Sequence, residues 1–322
     1  MTLHPQAVRD LASEVIPQGP TPVPSLGDIA NTRAEENAEA EAVGGPLAPV
    51  PIVVDLEADH VPVRLYNPRG GRGTPVTFFL HGGGWVGGSL VTHDAACRRL
   101  ANRSGCAVLA VDYRLAPEHV WPTQIEDAVH ALAWLRAHGD ECGLDVTRMA
   151  VAGDSVGGTL AAILARRARD ANASFAFQAL IYPPVEPFSP PPDGPDPRTG
   201  VEHGLSVGEM AWAWSTWLDG ADPNNHDISP IRTKDLSGLP PTLIVTAEFD
   251  VLRAGAEAYG TALLAAGVPV VTTRYLGVPH GFFRRLGVYD AARMAVDQVA
   301  VAIKDVLDPV MTPAALADVA PR

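Results

Sequence analysis

The segment RMAVAGDSVGGTLAAILA, residues 148–165, carries the strongest structural signal in the chain. Residues 148–153 predict a buried strand, and the apolar pattern after them predicts a helix up to about residue 169. GDSVG, residues 153–157, therefore forms a GxSxG pattern at the turn from strand to helix. A serine on such a turn projects its hydroxyl outward, and glycines two positions away on both sides let the turn pack without Cβ clashes. The pattern predicts that Ser155 is a nucleophile rather than a serine that only caps the helix.

Strands and helices alternate along the chain on both sides of this segment. Before it, PIVVDLE and VPVRLY predict a β-hairpin over residues 51–66. Further strands are predicted at 76–80, 106–112, 175–182, 241–247 and 268–276, and further helices at 94–103, 122–138 and 290–307. Strands that alternate with helices of this length form βαβ units, so we expect an α/β fold with a mostly parallel twisted central sheet flanked by helices. We expect residues 1–322 to form a single domain.

The composition is typical of a globular protein with a large core, since 47% of the residues are hydrophobic and 19% are charged. Lys and Arg number 24 against 37 Asp and Glu, and the resulting formal net charge of −13 disfavours binding to nucleic acid. The three cysteines, Cys97, Cys106 and Cys142, are widely spaced and contain no CxxC pair. We therefore expect reduced thiols rather than a disulfide framework or a zinc site.

Neither a secretory leader nor a membrane span is predicted from the sequence. The first twenty residues lack a basic region followed by an apolar one. No stretch of the chain approaches the roughly 18 consecutive apolar residues that a membrane helix needs. We therefore expect a cytoplasmic protein.

A glycine-rich motif, LHGGGW at residues 80–85, follows the strand predicted at 76–80. Consecutive glycines allow two backbone N–H groups to turn toward one point, where a tetrahedral intermediate places its negative oxygen. We predict that the N–H groups of Gly83 and Gly84 form such an oxyanion hole. The N–H group of Val156, directly after the candidate nucleophile, is the expected third donor.

The same glycines also fit a dinucleotide-binding pattern. Gly82, Gly84 and Gly87 form GxGxxG after a strand, and Asp112 ends the next strand. In a dinucleotide-binding fold the helix begins within the glycine run, whereas here Trp85 interrupts the run and the next helix is predicted several residues later. We therefore expect no nucleotide cofactor.

A nucleophilic serine needs a general base and an acid that orients this base, and one known chain order places Asp or Glu and then His after the serine. The strand predicted at 241–247 is followed by Glu248 and Asp250, and the loop after the strand at 268–276 carries His280. We predict Asp250 as the acid, with Glu248 as the alternative, and His280 as the base. A carboxylate that only caps the following helix is the structural alternative for either acid.

The other histidines do not predict a metal site. His130 and His138 share a helix face with Trp134, which is more typical of packing than of metal binding. The HExxH motif of zinc proteases does not occur in the sequence. No metal is predicted.

Two irregular segments interrupt the alternation of strands and helices. Residues 17–51 are rich in Pro, Ala and Glu and predict a solvated arm or short helices. Later in the chain a proline-rich stretch precedes MAWAWSTWL, residues 210–218, which predicts a helix. Trp212 and Trp214 on this helix, together with Trp85, are candidate substrate-binding residues. Packing against the main domain explains tryptophans on such a helix equally well.

Five motifs together resemble one family, the bacterial hormone-sensitive-lipase-like esterases of the α/β-hydrolase superfamily. These motifs are HGGGW (81–85), DYRLAPEH (112–119), GDSVGG (153–158), EFDVLR (248–253) and PHGF (279–282), and they span about 200 residues. The resemblance implies the α/β-hydrolase fold with a helical cap built from about residues 1–47 and about residues 183–225. It also implies small-molecule acyl esters of short to medium chain as substrates, and a homodimer as a common assembly.

The chain departs from the motifs of this family at four positions. Val251 stands where a proline usually follows the acid, and Ala254 and Gly255 replace an Asp-Glu pair, so the turn and the charge of the following helix are less defined. Val156 stands where alanine is more usual. We expect this larger side chain to narrow the acyl pocket slightly.

These residues predict a serine carboxylesterase in which Ser155 forms an acyl-enzyme with the help of His280 and Asp250. An amide deacetylase or an acyltransferase of small-molecule metabolism would use the same three residues, and only the leaving group separates these reactions. A non-catalytic ligand-binding protein is a further alternative, but such a protein has no need of all three. Arg114 and Glu118 of the DYRLAPEH motif are expected to be structural.

Overall fold

A computed structural model of the chain describes residues 2–12, 25–187 and 204–308. Within these residues eight strands form one sheet, in the order β1-β2-β4-β3-β5-β6-β7-β8. The strands are β1 (Ile52–Ala58), β2 (Val61–Asn67), β3 (Thr74–Leu80), β4 (Ala107–Val111), β5 (Leu144–Asp154), β6 (Phe177–Ile181), β7 (Thr242–Phe249) and β8 (Val270–Pro279). β2 runs antiparallel to both of its neighbours, and every other pair is parallel. The predicted mostly parallel sheet is thereby confirmed.

Helices cover both faces of this sheet. The described part of the chain contains α1 (Pro5–Leu11), α2 (Leu26–Gly44), α3 (Asp94–Ser104), α4 (Thr123–His138), α5 (Val156–Asp170), α6 (Val207–Leu218), α7 (Arg253–Ala265) and α8 (Asp290–Leu307). α3 and α8 pack on one face, and α4, α5 and α7 pack on the other. Because side chains alternate along a strand, Phe78 and Phe79 of the buried strand β3 belong to the two different cores.

Most elements begin and end within two residues of their predicted positions. The largest difference is at β5, which begins at Leu144 rather than at Arg148. Leu144 and Asp145 continue the pairing of β5 with Thr74 and Pro75, and the register shifts just after them. This extension contains charged and polar residues, so a prediction based on apolar runs does not include it.

The irregular segment near the start of the chain contains one long helix, where a solvated arm or short helices were predicted. α2 spans 19 residues and begins with a capping box, in which Ser25 and Asp28 each accept the other's backbone N–H. Ile29 and Gly44 are its buried residues, in agreement with the solvated character that the composition predicts. Most of the proline-rich stretch of the second irregular segment falls in residues 188–203, which lie outside the described residues.

The cysteines are free thiols, as predicted. Cys97 and Cys106 are buried and Cys142 is partly exposed. Burial raises the pKa of the Cys106 thiol to about 11, so this group stays protonated and unreactive at neutral pH. No helix of the described residues combines the length and the apolar character that crossing a lipid bilayer requires.

Candidate active site

Ser155 occupies a sharp turn between β5 and α5. Its backbone has a φ of +52° and a ψ of −127°, a conformation that residues other than glycine rarely adopt. A Cβ atom on Gly157 would lie 2.1 Å from the carbonyl oxygen of Leu80, and one on Gly153 would lie 2.3 Å from the carbonyl oxygen of Gly157. Only glycine therefore fits at these two positions, and the turn presents Ser155 to a cavity.

Three side chains that are distant in the sequence meet at this turn. The Oγ atom of Ser155 lies 2.9 Å from Nε2 of His280, and Nδ1 of His280 lies 2.7 Å from Oδ2 of Asp250. Asp250 directly follows β7 and His280 directly follows β8, so the carboxyl ends of parallel strands bring all three together. The Asp250 side chain is fully buried, and its Oδ1 atom accepts a hydrogen bond from the N–H of Leu252 at 2.8 Å.

Glu248, the alternative acid, directs its carboxylate to a different partner. Its Oε2 atom accepts a hydrogen bond from the N–H of Gly277 at 2.8 Å. This bond joins β7 to β8 at a point where the register between the two strands shifts. Of the two carboxylates, the one that contacts the imidazole of His280 is Asp250.

The loop after β3 lies beside Ser155 and depends on glycine for its shape. Gly83 has a φ of +128° and Gly84 a φ of +64°. The N–H groups of Val86 and Gly87 bond to the Gly83 carbonyl at 3.1 and 2.7 Å. A Cβ atom on Gly83 would lie 2.2 Å from the Gly87 carbonyl oxygen. Gly83 and Gly84 line the same cavity as the serine, which places the predicted oxyanion donors next to the nucleophile.

The GxGxxG glycines do not open a helix. Trp85, with a φ of +60°, lies inside the glycine run, and α3 begins only at Asp94. The N–H of Gly82 donates to Oδ1 of Asp154 at 2.9 Å. The run therefore forms a tight loop beside Ser155 rather than a phosphate-binding turn at a helix N-terminus.

A buried polar network supports this loop, and sequence analysis missed it. Oδ1 of Asp154 lies 3.1 Å from Nε2 of His93, and Oδ2 accepts a hydrogen bond from the Tyr182 hydroxyl at 3.4 Å. Burial opposes ionisation, but His93 and the N–H of Gly82 together hold the pKa of Asp154 below its usual value. The Tyr182 ring in turn packs against the imidazole of His280. The position of Asp154 just before the nucleophile was a signal for this network, whereas nothing in the sequence singled out His93.

Ser155 opens into a cavity of about 750 Å³. The turn between β5 and α5 contributes Ser155, and the loop after β3 contributes Gly82, Gly83 and Gly84. Helix α2 contributes Glu36, and α6 contributes Met210 and Trp212. Arg284 also lines the cavity, with its guanidinium 3.9 Å from the Glu36 carboxylate. The cavity therefore combines apolar side chains of α6 with charged groups, among them Glu209 of α6 itself.

The three tryptophans predicted as substrate contacts occupy different places. Trp212 lines the cavity. Trp85 and Trp214 are buried instead in a cluster with Trp217. The rings of Trp85 and Trp217 stack with their centroids 4.0 Å apart and their planes 5° from parallel, while Trp214 packs on both at a tilt. Trp214 and Trp217 are three residues apart and share the buried face of α6, while Trp212 lies on another face. Packing thus accounts for Trp85 and Trp214, and the prediction of a substrate contact stays with Trp212.

The Val156 side chain does not line the cavity. It is fully buried in the core around α5, so it does not narrow the acyl pocket as its size led us to expect. Its backbone N–H belongs to the first residue of α5, next to Ser155, where the helix N-terminus favours negative charge. The position of this N–H group is compatible with its predicted role as an oxyanion donor.

One arginine joins α2 to the glycine loop. Nε of Arg33 donates to the Val86 carbonyl at 2.6 Å, and Nη2 donates to the Ala116 carbonyl at 2.7 Å. The same guanidinium forms a two-point ion pair with Glu118, with both N···O distances at 2.9 Å. Glu118 thus has a structural contact, as the resemblance implied.

Several known proteins with similar sequences are named as esterases. A protein family described as having the alpha/beta hydrolase fold matches residues 77–284 of the chain. Carboxylic ester hydrolase LipN of Mycobacterium tuberculosis is 41% identical over 268 residues, which cover 79% of this chain and 70% of LipN. Esterase LipI of the same organism is 40% identical over 266 residues, which cover 80% of this chain and 82% of LipI.

Solved structures of esterases superpose on nearly the whole chain. An esterase of Pyrobaculum calidifontis is 38% identical and has a TM-score of 0.83, with 94% of this chain and 98% of that chain covered. A thermostable esterase from Pseudomonas putida is 32% identical and has a TM-score of 0.86, with 95% and 98% covered. The motifs, the geometry and these similarities agree, and the chain therefore belongs to the bacterial hormone-sensitive-lipase-like esterases of the α/β-hydrolase superfamily.

Proposed function

We propose that the chain hydrolyses carboxylic esters with Ser155 as nucleophile, His280 as general base and Asp250 as the acid that orients the base. The observation that carries this proposal is the chain of contacts from Ser155 Oγ to His280 at 2.9 Å and from His280 to Asp250 at 2.7 Å. Nε2 of His280 accepts the hydroxyl proton while Oγ attacks the ester carbonyl. The same nitrogen then gives the proton to the departing alcohol, and an acyl-enzyme remains.

Water completes the reaction by the same route. Nε2 of His280 accepts a proton from the water molecule whose oxygen attacks the acyl carbonyl, and it returns this proton to the oxygen of Ser155. Asp250 accepts a hydrogen bond from Nδ1–H, which keeps Nε2 available as the proton acceptor and stabilises the imidazolium that forms. The products are the carboxylic acid and the free enzyme.

Backbone N–H groups of Gly83, Gly84 and Val156 are the proposed oxyanion donors. Two of these residues line the cavity with Ser155, and the third directly follows it at the start of α5. Such donors stabilise the negative oxygen of both tetrahedral intermediates, and losing one typically costs about 10²–10³ in kcat. Because a side chain at Gly83 or Gly84 would disturb the loop, glycine is needed at both positions for the N–H groups to keep their orientation.

We also propose that about residues 1–47 and about residues 183–225 form a cap over the active site. In the described part of these ranges, α2 brings Glu36 to the cavity and α6 brings Met210 and Trp212. The apolar side chains of α6 suit the hydrocarbon part of a short-to-medium-chain acyl ester.

Hydrolysis of para-nitrophenyl esters from acetate to dodecanoate, with the matching anilides alongside, tests the proposed reaction and substrate class. We expect turnover of the short and medium esters, and a lower rate for dodecanoate because the size of the cavity limits the acyl chain. The anilides should be hydrolysed much more slowly than the esters. Faster cleavage of anilides than of esters would favour the amide deacetylase, and transfer of the acyl group to an added alcohol would favour the acyltransferase. If the protein hydrolysed none of these esters, the proposal would be overturned.

The Arg33 contacts give a test of the cap. Arg33→Ala removes hydrogen bonds to the Val86 and Ala116 carbonyls and the ion pair with Glu118. Loss of these contacts loosens α2 against the glycine loop. Since about 1.4 kcal/mol of lost transition-state stabilisation is a tenfold change in rate, we expect kcat/KM to fall by about tenfold. Steady-state kinetics with a short ester measures this ratio. Glu35→Ala, an exposed change on the same helix, is the matched control, and identical kinetics for both variants would contradict the role of α2.

A further inference from the structure

A cluster of three ionisable side chains lies outside the esterase site. Asp59 and His60 form the turn between β1 and β2, and His130 lies in the middle of α4. Each residue offers one donor atom, and the three atoms lie within 4.8 Å of one another. The rings of His60 and His130 meet edge to face with their centroids 4.9 Å apart. All three residues are exposed, so a dissolved ion can reach them.

Rigid elements hold these side chains together. Ala58 pairs with Val61 at the end of the hairpin, which leaves only Asp59 and His60 in the turn. Asp59 has a φ of +64°, which aspartate tolerates better than most residues do. Because α4 packs against both β1 and β2, His130 meets the turn without any movement of the backbone.

A buried carboxylate lies near one of the two imidazoles. Nδ1 of His60 lies 3.3 Å from Oδ2 of Asp59, while Nε2 faces Oδ1 of Asp127 at 3.6 Å. Asp127 is held in turn by Arg114, whose guanidinium lies 2.7 Å from the same Oδ1 atom. Histidine ligands of metals usually direct their second nitrogen to a carboxylate, which fixes the tautomer and strengthens the metal bond. In His60, Nδ1 faces the Asp59 carboxylate while Nε2 lies on the side of Asp127.

The donor set selects the kind of ion. Two imidazole nitrogens and one carboxylate oxygen suit Zn²⁺ and its neighbours among the transition metals, whereas Mg²⁺ and Ca²⁺ prefer oxygen donors alone. Donors around a tetrahedral zinc ion lie roughly 3.4 Å apart, given metal–donor distances of about 2.0–2.2 Å. Since the three donors already lie within 4.8 Å of one another, small rotations of exposed side chains bring them onto one ion.

We propose that Asp59, His60 and His130 bind one Zn²⁺ ion, with water in the remaining position. The ion joins the β1–β2 turn to α4 and so stabilises the edge of the sheet at which β1 lies. The site is independent of ester hydrolysis at Ser155. Sequence analysis predicted no metal because His130 has the spacing of a packing residue on α4 and its partners come from a hairpin far earlier in the chain.

Isothermal titration of Zn²⁺ into the full-length protein, produced without a histidine tag and stripped with EDTA, tests this proposal. We expect the unaltered protein to bind one equivalent, and the variants His130→Ala and Asp59→Asn to bind at least about tenfold more weakly. His138→Ala is the matched control, because His138 is also exposed on α4 but lies near Glu141, outside the cluster. This control is expected to bind Zn²⁺ as the unaltered protein does.

Thermal unfolding gives a second readout. Because a ligand that binds the folded state raises its stability, Zn²⁺ should raise the Tm of the unaltered protein and of His138→Ala but not that of His130→Ala. The rate of ester hydrolysis by the metal-free variants should match that of the unaltered protein. An unchanged rate would show that these variants are folded. Equal Zn²⁺ binding by all variants, or none by the unaltered protein at a large molar excess, would overturn the proposal. Neither result would bear on the role of Ser155.

Discussion

Replacing Ser155 with alanine is expected to lower kcat for ester hydrolysis by about 10⁶-fold, the loss that would follow removal of an activated nucleophile. The variant should keep the cavity, the proposed oxyanion donors and His280, but it offers no oxygen on which an acyl-enzyme can form. Initial rates on a short para-nitrophenyl ester, measured for both proteins side by side, give the ratio.

Two controls make this result specific to the Ser155 oxygen. Alanine has the same Cβ atom as serine, so the φ of +52° imposes the same strain and we expect an unchanged Tm. A fluorophosphonate should label the peptide that contains Ser155 in the unaltered protein and leave the variant unlabelled, as mass spectrometry can establish. Labelling at another residue, or equal hydrolysis by the two proteins, would mean that a different group is the nucleophile.

The second large effect is expected at the acid: Asp250→Asn should lower kcat by about 10⁴-fold. Oδ1 of Asp250 accepts the N–H of Leu252 at 2.8 Å, so the oxygen of the new amide keeps that place and its NH₂ group faces Nδ1 of His280. A donor at this point forces the imidazole proton onto Nε2. His280 in that tautomer cannot accept the proton of Ser155, and the same kinetic assay measures the loss.

Glu248→Gln is the matched control for the acid. The Glu248 carboxylate accepts the N–H of Gly277 at 2.8 Å, and an amide oxygen can keep that bond. We therefore expect a change in kcat far smaller than that of Asp250→Asn. If Glu248→Gln alone abolished activity, Glu248 would be the acid and the assignment of Asp250 would be wrong.

The turn at Ser155 and the sheet around it were predictable because physical constraints there act on the sequence itself. A Cβ atom at Gly153 or Gly157 would overlap backbone oxygens, so the strained turn imposes a glycine on each side of the serine. The buried parallel strands likewise need continuous apolar runs, and these runs marked their positions.

For features that depend on distant elements, the sequence left alternatives open. Glu248 and Asp250 both stand at the end of β7, and which of them reaches His280 depends on a shift in register between β7 and β8. The burial of Trp85 similarly depends on Trp217, which a different part of the chain supplies. In both cases the sequence identifies the candidate residues, but their different roles depend on packing between distant segments, which local patterns do not reveal.

The cluster of Trp85, Trp214 and Trp217 contains half of the six tryptophans in the chain. Trp85 directly follows the proposed oxyanion glycines, while the other two belong to α6 of the proposed cap. Indole rings at such short distances couple electronically and give a distinctive near-ultraviolet circular dichroism signal and altered fluorescence. Any separation of α6 from the glycine loop changes this signal. The protein therefore carries a built-in optical reporter, which can follow the position of α6 during catalysis without an added dye.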